Sequence, residues 1–405
     1  MQDMPHLVRH ILFNQKILIK RKEEAMQVSD TIIKQPQEKL LTDAALMQSL
    51  KEAIAQKLAP DVTNIDQKGI YPEEFLRDIG SLGAYAQGVS TEYGGTGRGV
   101  LPALKAIEMV SETCLSTGFM AWCHNACSWY LQNTDNPFLR EQILPQVATG
   151  KLLSGTGLSN PMKHFAGIEK IKIIATPCEG GYILNGTLPW VSNIGDQHLF
   201  GISAQIEGTD NYLMAIARGG MQGLELKQDV HFIALEGTNT FRCLFRNAFV
   251  SHDWVLASPC DRYVEYIKPG FILMQVGMGL GLTQNCIDLM RRIDKTKQHV
   301  NQYLDDRPDE MESELETLRL KSYRLAEAIG HGRELVSKEV LREVIESRAT
   351  ASELSLRASQ SLMLHAGAIS YVHGSVYDRR LRESYFVAMV TPALKHLRKV
   401  LASMS

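Results

Sequence analysis

The stretch LPQVATGKLLSGTGLSNP, residues 144–161, marks a change in the local structure of this chain. Before and into it, residues 138–148 have the apolar spacing of a helix, and Gly150 provides a stop signal. Residues 151–158 are small and alternate in character, which is typical of a strand. The stretch therefore predicts a border between a helical region and a β-region.

A hairpin signal follows this border. The segments IKIIATP (171–177) and YILNGTLPWV (182–191) flank Glu179-Gly180-Gly181, whose glycines can adopt the positive φ of a tight turn. Alternating segments without helices between them continue at 199–205, 212–217, 224–230 and 241–250. This pattern predicts an antiparallel barrel or sandwich in the middle of the chain.

Helical periodicity occupies both sides of the β-region. It covers residues 43–82 and 101–131, and it returns from Asp261 onward. Residues 271–282 are apolar on nearly all sides but too short for a bilayer span, so they predict a central buried helix. Within it, Gly277 and Gly281 would let another helix approach closely. Two further helices are predicted at 314–346 and 350–364.

The first residues form a separate segment in our interpretation. Residues 7–19 are rich in apolar residues with a basic flank, but Asn14, Gln15 and Lys16 interrupt them, and no small-residue cleavage site follows. An N-terminal arm is therefore expected rather than a signal peptide or a membrane span. The expected division is an arm (1–28), a helical domain (29–150), a β-barrel (151–256) and a helical bundle (257–405).

Composition narrows the possible partners and compartment. Lys plus Arg number 43 and Asp plus Glu 45, so no global field would attract nucleic acid or an anionic membrane. The seven cysteines are odd in number and contain no CxxC pair, which indicates reduced thiols in a cytoplasmic protein. No metal site is expected, because Cys123 and Cys127 lack two further ligands nearby.

Several separated motifs, in order, resemble the acyl-CoA dehydrogenase family of flavoproteins. Leu158-Ser159-Asn160-Pro161, Gly181-Tyr182-x-Leu184-Asn185-Gly186 and Trp190-Val191-Ser192-Asn193 resemble its middle domain. Residues 92–97 and His124-Asn125 resemble its N-terminal domain; residues 281–284, 365–367 and 379–383 resemble its C-terminal domain. The resemblance covers roughly residues 40–400. It implies an α+β, mainly α, fold: an N-terminal helical domain, a middle antiparallel β-barrel and a C-terminal helical bundle.

The resemblance also implies a flavin site. Leu158 and Ser159 would face the edge of the flavin ring, Trp190 would lie against the ring, and Ser192 would lie near its reactive nitrogen. An indole can cover the apolar face of an isoalloxazine, whose polar edge needs hydrogen-bond donors. Gly367 would approach the FAD pyrophosphate of a neighbouring subunit, which implies a homodimer or homotetramer.

Two departures from the family pattern bear on the cofactor. The glycine that precedes Gly367 in the family is Ala366 here, and the Arg-x-x-Phe-Gly element is replaced by residues 297–302, KQHVNQ. The acidic turn after the first flavin strand is reduced to NPMKHF, residues 160–165. The adenosine end of FAD is therefore expected to be held differently, or FMN to replace FAD.

The usual catalytic base of the family is absent. A dehydrogenase needs a carboxylate to remove the α-proton of the acyl thioester while the flavin takes a hydride from the β-carbon. The two positions at which the family places its glutamate are Thr391 and Phe271 here, and neither residue can act as a base. Glu383 and Glu265 are the candidate replacements, although Glu383 could instead belong to a structural ion pair.

Three functions stay open at this point. The first is dehydrogenation of an acyl group on CoA or an acyl-carrier protein, with a relocated base and a separate electron acceptor or reductase. The second is a flavin monooxygenase, for which His365 and His396 are the candidate histidines. The third is a flavin-free scaffold or carrier-binding protein, which loss of the base would permit.

Overall fold

The computed structural model describes residues 43–404, so the expected N-terminal arm lies outside the described residues. The first region is helical. Its α-helices are α1 (Asp43–Ala53), α2 (Val62–Lys68), α3 (Glu73–Ser81), α4 (Val100–Thr113), α5 (Leu115–Asn133) and α6 (Leu144–Ala148). Short helical turns of other types occupy Ile54–Leu58, Ala59–Asp61, Thr91–Tyr93 and Leu139–Ile143. α5 is buried along its whole length, which places it at the centre of the main core.

The β-region begins where the sequence changes its period. Its strands are β1 (Ser154–Thr156), β2 (Ile173–Cys178), β3 (Gly181–Val191), β4 (Leu199–Ile206), β5 (Tyr212–Arg218), β6 (Leu224–Lys227), β7 (Phe241–Ser251) and β8 (Val255–Ala257). A short helix, α7 (Ser159–Phe165), separates β1 from β2, and helical turns occupy Glu236–Thr238 and His252–Trp254. The predicted hairpin is confirmed: β2 and β3 pair antiparallel, with Cys178 opposite Gly181 and Gly180 at a φ of 76°.

The prediction of an antiparallel barrel is wrong. The strands form one mixed sheet in the order β6-β7-β3-β2-β4-β5-β8, and β1 also pairs with β4. Both β1 and β2 run parallel to β4. Because β3 lies on the far side of β2, the chain crosses over between β3 and β4. Within the described residues the end strands β6 and β8 do not pair, so the sheet stays open.

The chain then returns to helices. These are α8 (Asp261–Met274), α9 (Val276–Asn301), α10 (Pro308–Ile329), α11 (Lys338–Ala366), α12 (Val376–Met389) and α13 (Leu394–Met404), with a helical turn at Gly367–Tyr371. The predicted helices at 314–346 and 350–364 are wrong in their boundaries. The break falls earlier, where Gly330 adopts a φ of 57° and Ser337 caps α11 through the N–H of Val340.

The segment predicted as a central buried helix, residues 271–282, is confirmed as buried, but it consists of the end of α8 and the start of α9 rather than one helix. The chain turns at Gln275, between α8 and α9, and the first turns of α9 pack against α4. A Cβ added to Gly281 would lie 2.1 Å from the carbonyl oxygen of Glu108, and one added to Gly277 would lie 2.8 Å from that of Leu104. Only glycine allows two backbones to approach so closely. Between residues 43 and 404, no helix has the length and apolarity needed to cross a membrane.

Candidate functional site

Trp190 is an exposed aromatic residue near the end of β3. Its exposed fraction is 58%, and it lies where the pairing of β3 with β7 shifts register, between Leu188 and Val191. Its only aromatic neighbour among the described residues is Phe232, whose ring meets it edge-on with centroids 5.9 Å apart. An indole that is this exposed at an irregularity of a strand has a face available to a flat ligand.

Hydroxyl groups gather beside this strand end. Ser192 forms a bridge with Thr156, the last residue of β1, and its Oγ lies 2.6 Å from Oγ1 of Thr240. Thr240 is in turn 2.8 Å from Thr238, and Tyr130 reaches Oγ1 of Thr156 at 2.9 Å. The sequence predicted Ser192 as a flavin-site residue and did not indicate the other hydroxyls. Thr156 lies in the stretch that was read for its strand pattern, whereas nothing in the sequence connects Thr240 to it.

Leu158 and Ser159 lie between the sheet and the C-terminal helices. Leu158 is buried, and Ser159 begins α7 with its side chain exposed. Oγ of Ser159 is 2.9 Å from Oγ1 of Thr391, in the loop between α12 and α13. The fold therefore places a residue expected at the flavin edge next to one position at which the family carries its base.

A buried arginine holds this loop from behind. Gln275 donates from Nε2 to the carbonyl oxygen of Thr391 at 2.9 Å, and Arg348 donates from Nε to Oε1 of Gln275 at 2.9 Å. Arg348 is fully buried and also donates to Ser352 and to the carbonyl of Val387. Burial lowers the pKa of Arg348 to about 9. Sequence reasoning missed this chain of contacts, because its members come from three distant segments.

Phe271, the other family position for the base, belongs to the aromatic core. Its ring lies 5.0 Å from that of Trp122, whose Nε1 donates to the Phe271 carbonyl at 3.2 Å. The side chain is 2% exposed. Phe271 thus packs the interior, and it offers no acid–base chemistry.

The carboxylate of Glu383 is fully engaged. It is 1% exposed, and its two oxygens pair with Arg379 at 3.3 Å and Arg380 at 2.8 Å. Oε1 also accepts the N–H of Leu115, the first residue of α5, at 3.3 Å. Arg380 donates further to the carbonyls of Ser111, Glu112 and Thr113 at the end of α4. This cluster joins α12 to the α4–α5 junction.

His365 and Gly367 lie at the end of α11. His365 is buried, with Nε2 2.9 Å from the carbonyl of Asp306 and Nδ1 3.3 Å from Asp294. The N–H of Gly367 donates to the carbonyl of Met363, so this amide is already used by the helix cap. A Cβ added to Gly367 would meet no atom within 4 Å among the described residues, so its Cα faces open space.

Glu265 and His396 line a common cavity. The cavity has a volume of about 170 Å³ and lies between α8 and α13, with α7 and Pro392 at its border. Glu265 is exposed, whereas His396 is 7% exposed and its Nδ1 has no hydrogen-bond partner in the described part of the chain. Burial, followed by the charges of Lys268, Lys399 and Lys163, lowers the pKa of His396 to about 4.

The candidate site residues fall into two groups, those at or next to the cavity and those in separate hydrogen-bonded clusters. Ser159 and Thr391 are in contact, and Pro392, the residue after Thr391, borders the cavity that also contains Glu265 and His396. Glu383 and His365 lie in hydrogen-bonded clusters of their own. Of the four residues considered as acid or base, two therefore line the cavity beside the Ser159–Thr391 contact.

Known proteins are similar to this chain along most of its length. A family model described as the N-terminal domain of acyl-CoA dehydrogenase matches residues 42–151. Mitochondrial isovaleryl-CoA dehydrogenase of Solanum tuberosum is 24% identical over 353 residues, which cover 82% of this chain and 84% of that protein. A probable acyl-CoA dehydrogenase of Bacillus subtilis is 23% identical, covering 83% and 90% of the two chains.

Solved structures extend the likeness to the whole fold. A glutaryl-coenzyme A dehydrogenase complex has a TM-score of 0.80 at 20% identity, with 90% of this chain and 95% of that chain covered. The prolyl acyl carrier protein oxidase AnaB has a TM-score of 0.76 at 18% identity, with 89% and 98% covered. The dibenzothiophene monooxygenase of Paenibacillus sp. A11-2 has a TM-score of 0.75 at 15% identity, with 88% and 96% covered.

The fold is therefore the acyl-CoA dehydrogenase fold, mainly helical with a mixed sheet. The resemblance to the acyl-CoA dehydrogenase family, first noted on the motifs around Ser159 and Trp190, is confirmed by the matches along the chain.

Proposed function

We propose that this protein is a flavin-dependent oxidoreductase that introduces a double bond between the α and β carbons of an acyl thioester. The observation that carries the proposal is the contact between Ser159, the first residue of α7, and Thr391, which precedes Pro392 at the border of a cavity with ionisable groups. A dehydrogenase needs such a junction, because proton removal and hydride removal occur on adjacent carbons of one substrate.

The residues at the ends of β3 and β1 fit a flavin ring. The exposed face of Trp190 would cover the apolar ring, while the hydroxyls of Ser192 and Thr156 would supply hydrogen bonds at a polar edge. When bound, the flavin would accept the hydride from the β-carbon. FAD is the proposed form; because the Gly367 amide is used within its own helix cap, the adenosine end would need other donors.

Glu265 is the proposed base. Its carboxylate is exposed at the cavity and makes no ion pair with another described residue, so it is free to take the α-proton. Glu383 is a poor alternative, because protonation would break two buried ion pairs. Glu265 would accept the proton while Gln275 and Arg348 hold the Thr391 loop in place.

The proposal extends to partners and location. The substrate would be presented by CoA or by an acyl-carrier protein, and a separate electron acceptor or reductase would reoxidise the flavin. We also propose a homodimer or homotetramer in the cytoplasm. All seven cysteines, which lie within the described residues, are free thiols, and this agrees with a reducing compartment.

An anaerobic titration tests the function. The protein is loaded with FAD and mixed with a panel of acyl-CoA and acyl-pantetheine thioesters while the flavin absorbance is recorded. Bleaching without a reductase is the expected result. If bleaching needs an external supply of reduced flavin and is followed by oxygen consumption with substrate oxygenation, the protein is a monooxygenase. If the protein binds no flavin, the enzymatic proposal is wrong and a scaffold role replaces it.

A further inference from the structure

The cavity beside the Thr391 loop has mostly apolar walls. α8 contributes Val264, Lys268 and Ile272 at helical spacing, and α13 contributes His396, Leu397 and Val400; the remaining lining residues are Met162, Phe165, Ala166, Asp261, Glu265, Ile345 and Pro392. Polar groups in such a wall lose hydration, so each of them needs a partner from the protein or from a ligand.

Lys268 has no such partner. Burial lowers its pKa, and Glu265, one turn earlier on α8, acts in the opposite direction without forming an ion pair. Neighbouring lysines are better satisfied: Lys163 pairs with Glu169 at 3.7 Å, and Lys399 donates to the carbonyl of Ala166 at 2.5 Å. Among the described residues, Lys268 is thus an ammonium group that lines a cavity without a contacting anion.

His396 shows the same deficiency on the opposite wall. It is 7% exposed, and its Nδ1 lacks a hydrogen-bond partner in the described structure. The charges that act on this ring come from Lys268, Lys399 and Lys163. Of the described residues that line the cavity, the acidic ones are Asp261 and Glu265, and both are exposed. The inner part of the cavity therefore combines one unpaired cation with one unsatisfied imidazole.

The position of the cavity relates these groups to the substrate. Pro392 borders the cavity, and Thr391 before it contacts Ser159. Under the proposed function, the thioester would lie at this contact. The acyl chain and the pantetheine arm both adjoin the thioester, and the part of the pantetheine arm near the sulfur carries only neutral amides. Because the cavity contains an ammonium group without an anion, the acyl chain is the part of the substrate that we place in it.

We propose that this cavity binds a carboxylate at the far end of the acyl chain, so that the preferred substrates are thioesters of short dicarboxylic acids. Lys268 would form the ion pair, and the imidazole of His396 would donate a hydrogen bond to the same carboxylate. The inference rests on the proposed function. It assigns Lys268 and His396 as specificity-determining residues, separate from the proposed base Glu265.

A phosphate is a less suitable occupant. The phosphate of a pantetheine arm lies at the opposite end of that arm from the thioester, whereas the cavity adjoins the Thr391 loop. Phosphates are commonly held by arginine forks or by helix N-terminal amides. No arginine occurs among the described residues that line this cavity. A carboxylate needs only the two groups that are present.

The test compares glutaryl and pentanoyl thioesters, which have equal chain length and end in a carboxylate and a methyl group. With the FAD-loaded protein, we expect the KM for the glutaryl thioester to be lower by about tenfold or more, the usual value of a charge-assisted hydrogen bond. Lys268→Met should remove this preference, and His396→Leu should reduce it. Lys395→Met is the matched lysine control, because Lys395 is exposed on α13, next to His396 in the sequence, and does not line the cavity.

A second measurement does not depend on turnover. Free glutarate is titrated into the protein while the imidazole resonance of His396 is followed by NMR, assigned by its loss in His396→Leu. Binding of glutarate should raise the pKa of His396. Lys268→Met should lower the affinity for glutarate about tenfold or more. Denaturant unfolding of both variants checks that they fold; if one does not, the other carries the test.

Each outcome has a distinct meaning. Equal KM values for both thioesters, together with no glutarate binding, overturn the carboxylate site but leave the proposed dehydrogenase intact. Glutarate binding that is lost in Lys268→Met supports the site even if no thioester bleaches the flavin, in which case only the proposed function fails. A preference that follows the phosphate of phosphopantetheine over pantetheine, rather than the acyl carboxylate, also overturns the inference.

Discussion

Two buried histidines, His124 and His396, differ in how their ring nitrogens are used. The Nε2 of His124 donates to the carbonyl of Val147 at 2.8 Å, and its Nδ1 accepts the N–H of Ser154 at 3.2 Å. Its ring also stacks on Tyr85 at 3.7 Å. The Nδ1 of His396 has no partner among the described residues. Burial lowers the pKa of both rings, to about 3 and about 4.

The difference shows that neither burial nor a shifted pKa distinguishes a structural histidine from one that binds a ligand. The distinguishing features are the hydrogen-bond partners and an adjoining cavity. His124 joins α5 to α6 and β1, and both of its ring nitrogens are hydrogen-bonded. His396 lines a cavity, and its Nδ1 has no hydrogen-bond partner among the described residues. Glu383 and Glu265 repeat the contrast with carboxylates. The predictions below test whether this distinction holds.

The largest expected effect is a loss of stability when the ion pairs of the buried Glu383 are disrupted. Arg380→Met leaves the buried carboxylate of Glu383 with only Arg379 and the N–H of Leu115, and it removes the arginine donor from the carbonyls of Ser111 and Glu112 at the end of α4. We expect the free energy of unfolding to fall by about 3–5 kcal/mol. Denaturant titration measures this. The control is Arg398→Met, which removes a surface ion pair with Glu353 and should cost about 1 kcal/mol or less.

His124→Gln should lower the free energy of unfolding by about 2–3 kcal/mol at neutral pH. The reason is that the variant loses the imidazole's two buried hydrogen bonds, to the carbonyl of Val147 and from the N–H of Ser154. In the parent protein, stability should fall as the pH drops below about 6.5 and continue to fall toward about 3. Over this range the unfolded chain takes up a proton that the folded His124 does not.

The variant lacks this proton-linked loss, so its deficit should narrow between pH 7 and pH 5 in urea titrations. His299→Gln, an exposed substitution on α9, is the control. A deficit that stays constant over this pH range would show that His124 does not titrate as its buried position implies.

Glu265→Gln tests the carboxylate that lines the cavity without an ion-pair partner among the described residues. Flavin bleaching by an acyl thioester should slow about 100-fold or more, because the proposed base is lost. The free energy of unfolding should change by about 0.5 kcal/mol or less, since the side chain is exposed and unpaired among the described residues. Asp261→Asn, one turn away at the same rim, is the matched control. Unchanged bleaching in Glu265→Gln would remove it as the base.

The smallest effect on the proposed flavin chemistry is expected at Trp190. Because the indole is 58% exposed, Trp190→Ala should cost about 1 kcal/mol or less in unfolding free energy. Flavin affinity should nevertheless fall by about tenfold, the value of a stacked aromatic contact. Fluorescence titration with FAD measures the affinity. Ile174→Ala, an exposed apolar residue on β2, should change neither quantity by a comparable amount.

Local patterns predicted the features that depend on neighbouring residues. The glycine pair between β2 and β3 indicated the hairpin, and the apolar segment before Thr283 indicated a buried helix with glycine contacts. The family motifs indicated the fold and Trp190 as a site residue. The closed barrel was a wrong prediction, because alternation in a strand does not specify which strand lies beside it or in which direction.

The sequence by itself determined the order of helical and β-regions, the family resemblance and the absence of a base at Thr391 and Phe271. Only the tertiary structure decided which charged and polar groups have hydrogen-bond or ion-pair partners. It placed Glu383 between two arginines, and it left Lys268 and His396 facing one cavity. The reason is that a hydrogen bond or an ion pair depends on distances between atoms, and the order of residues in the chain does not set those distances across separate helices.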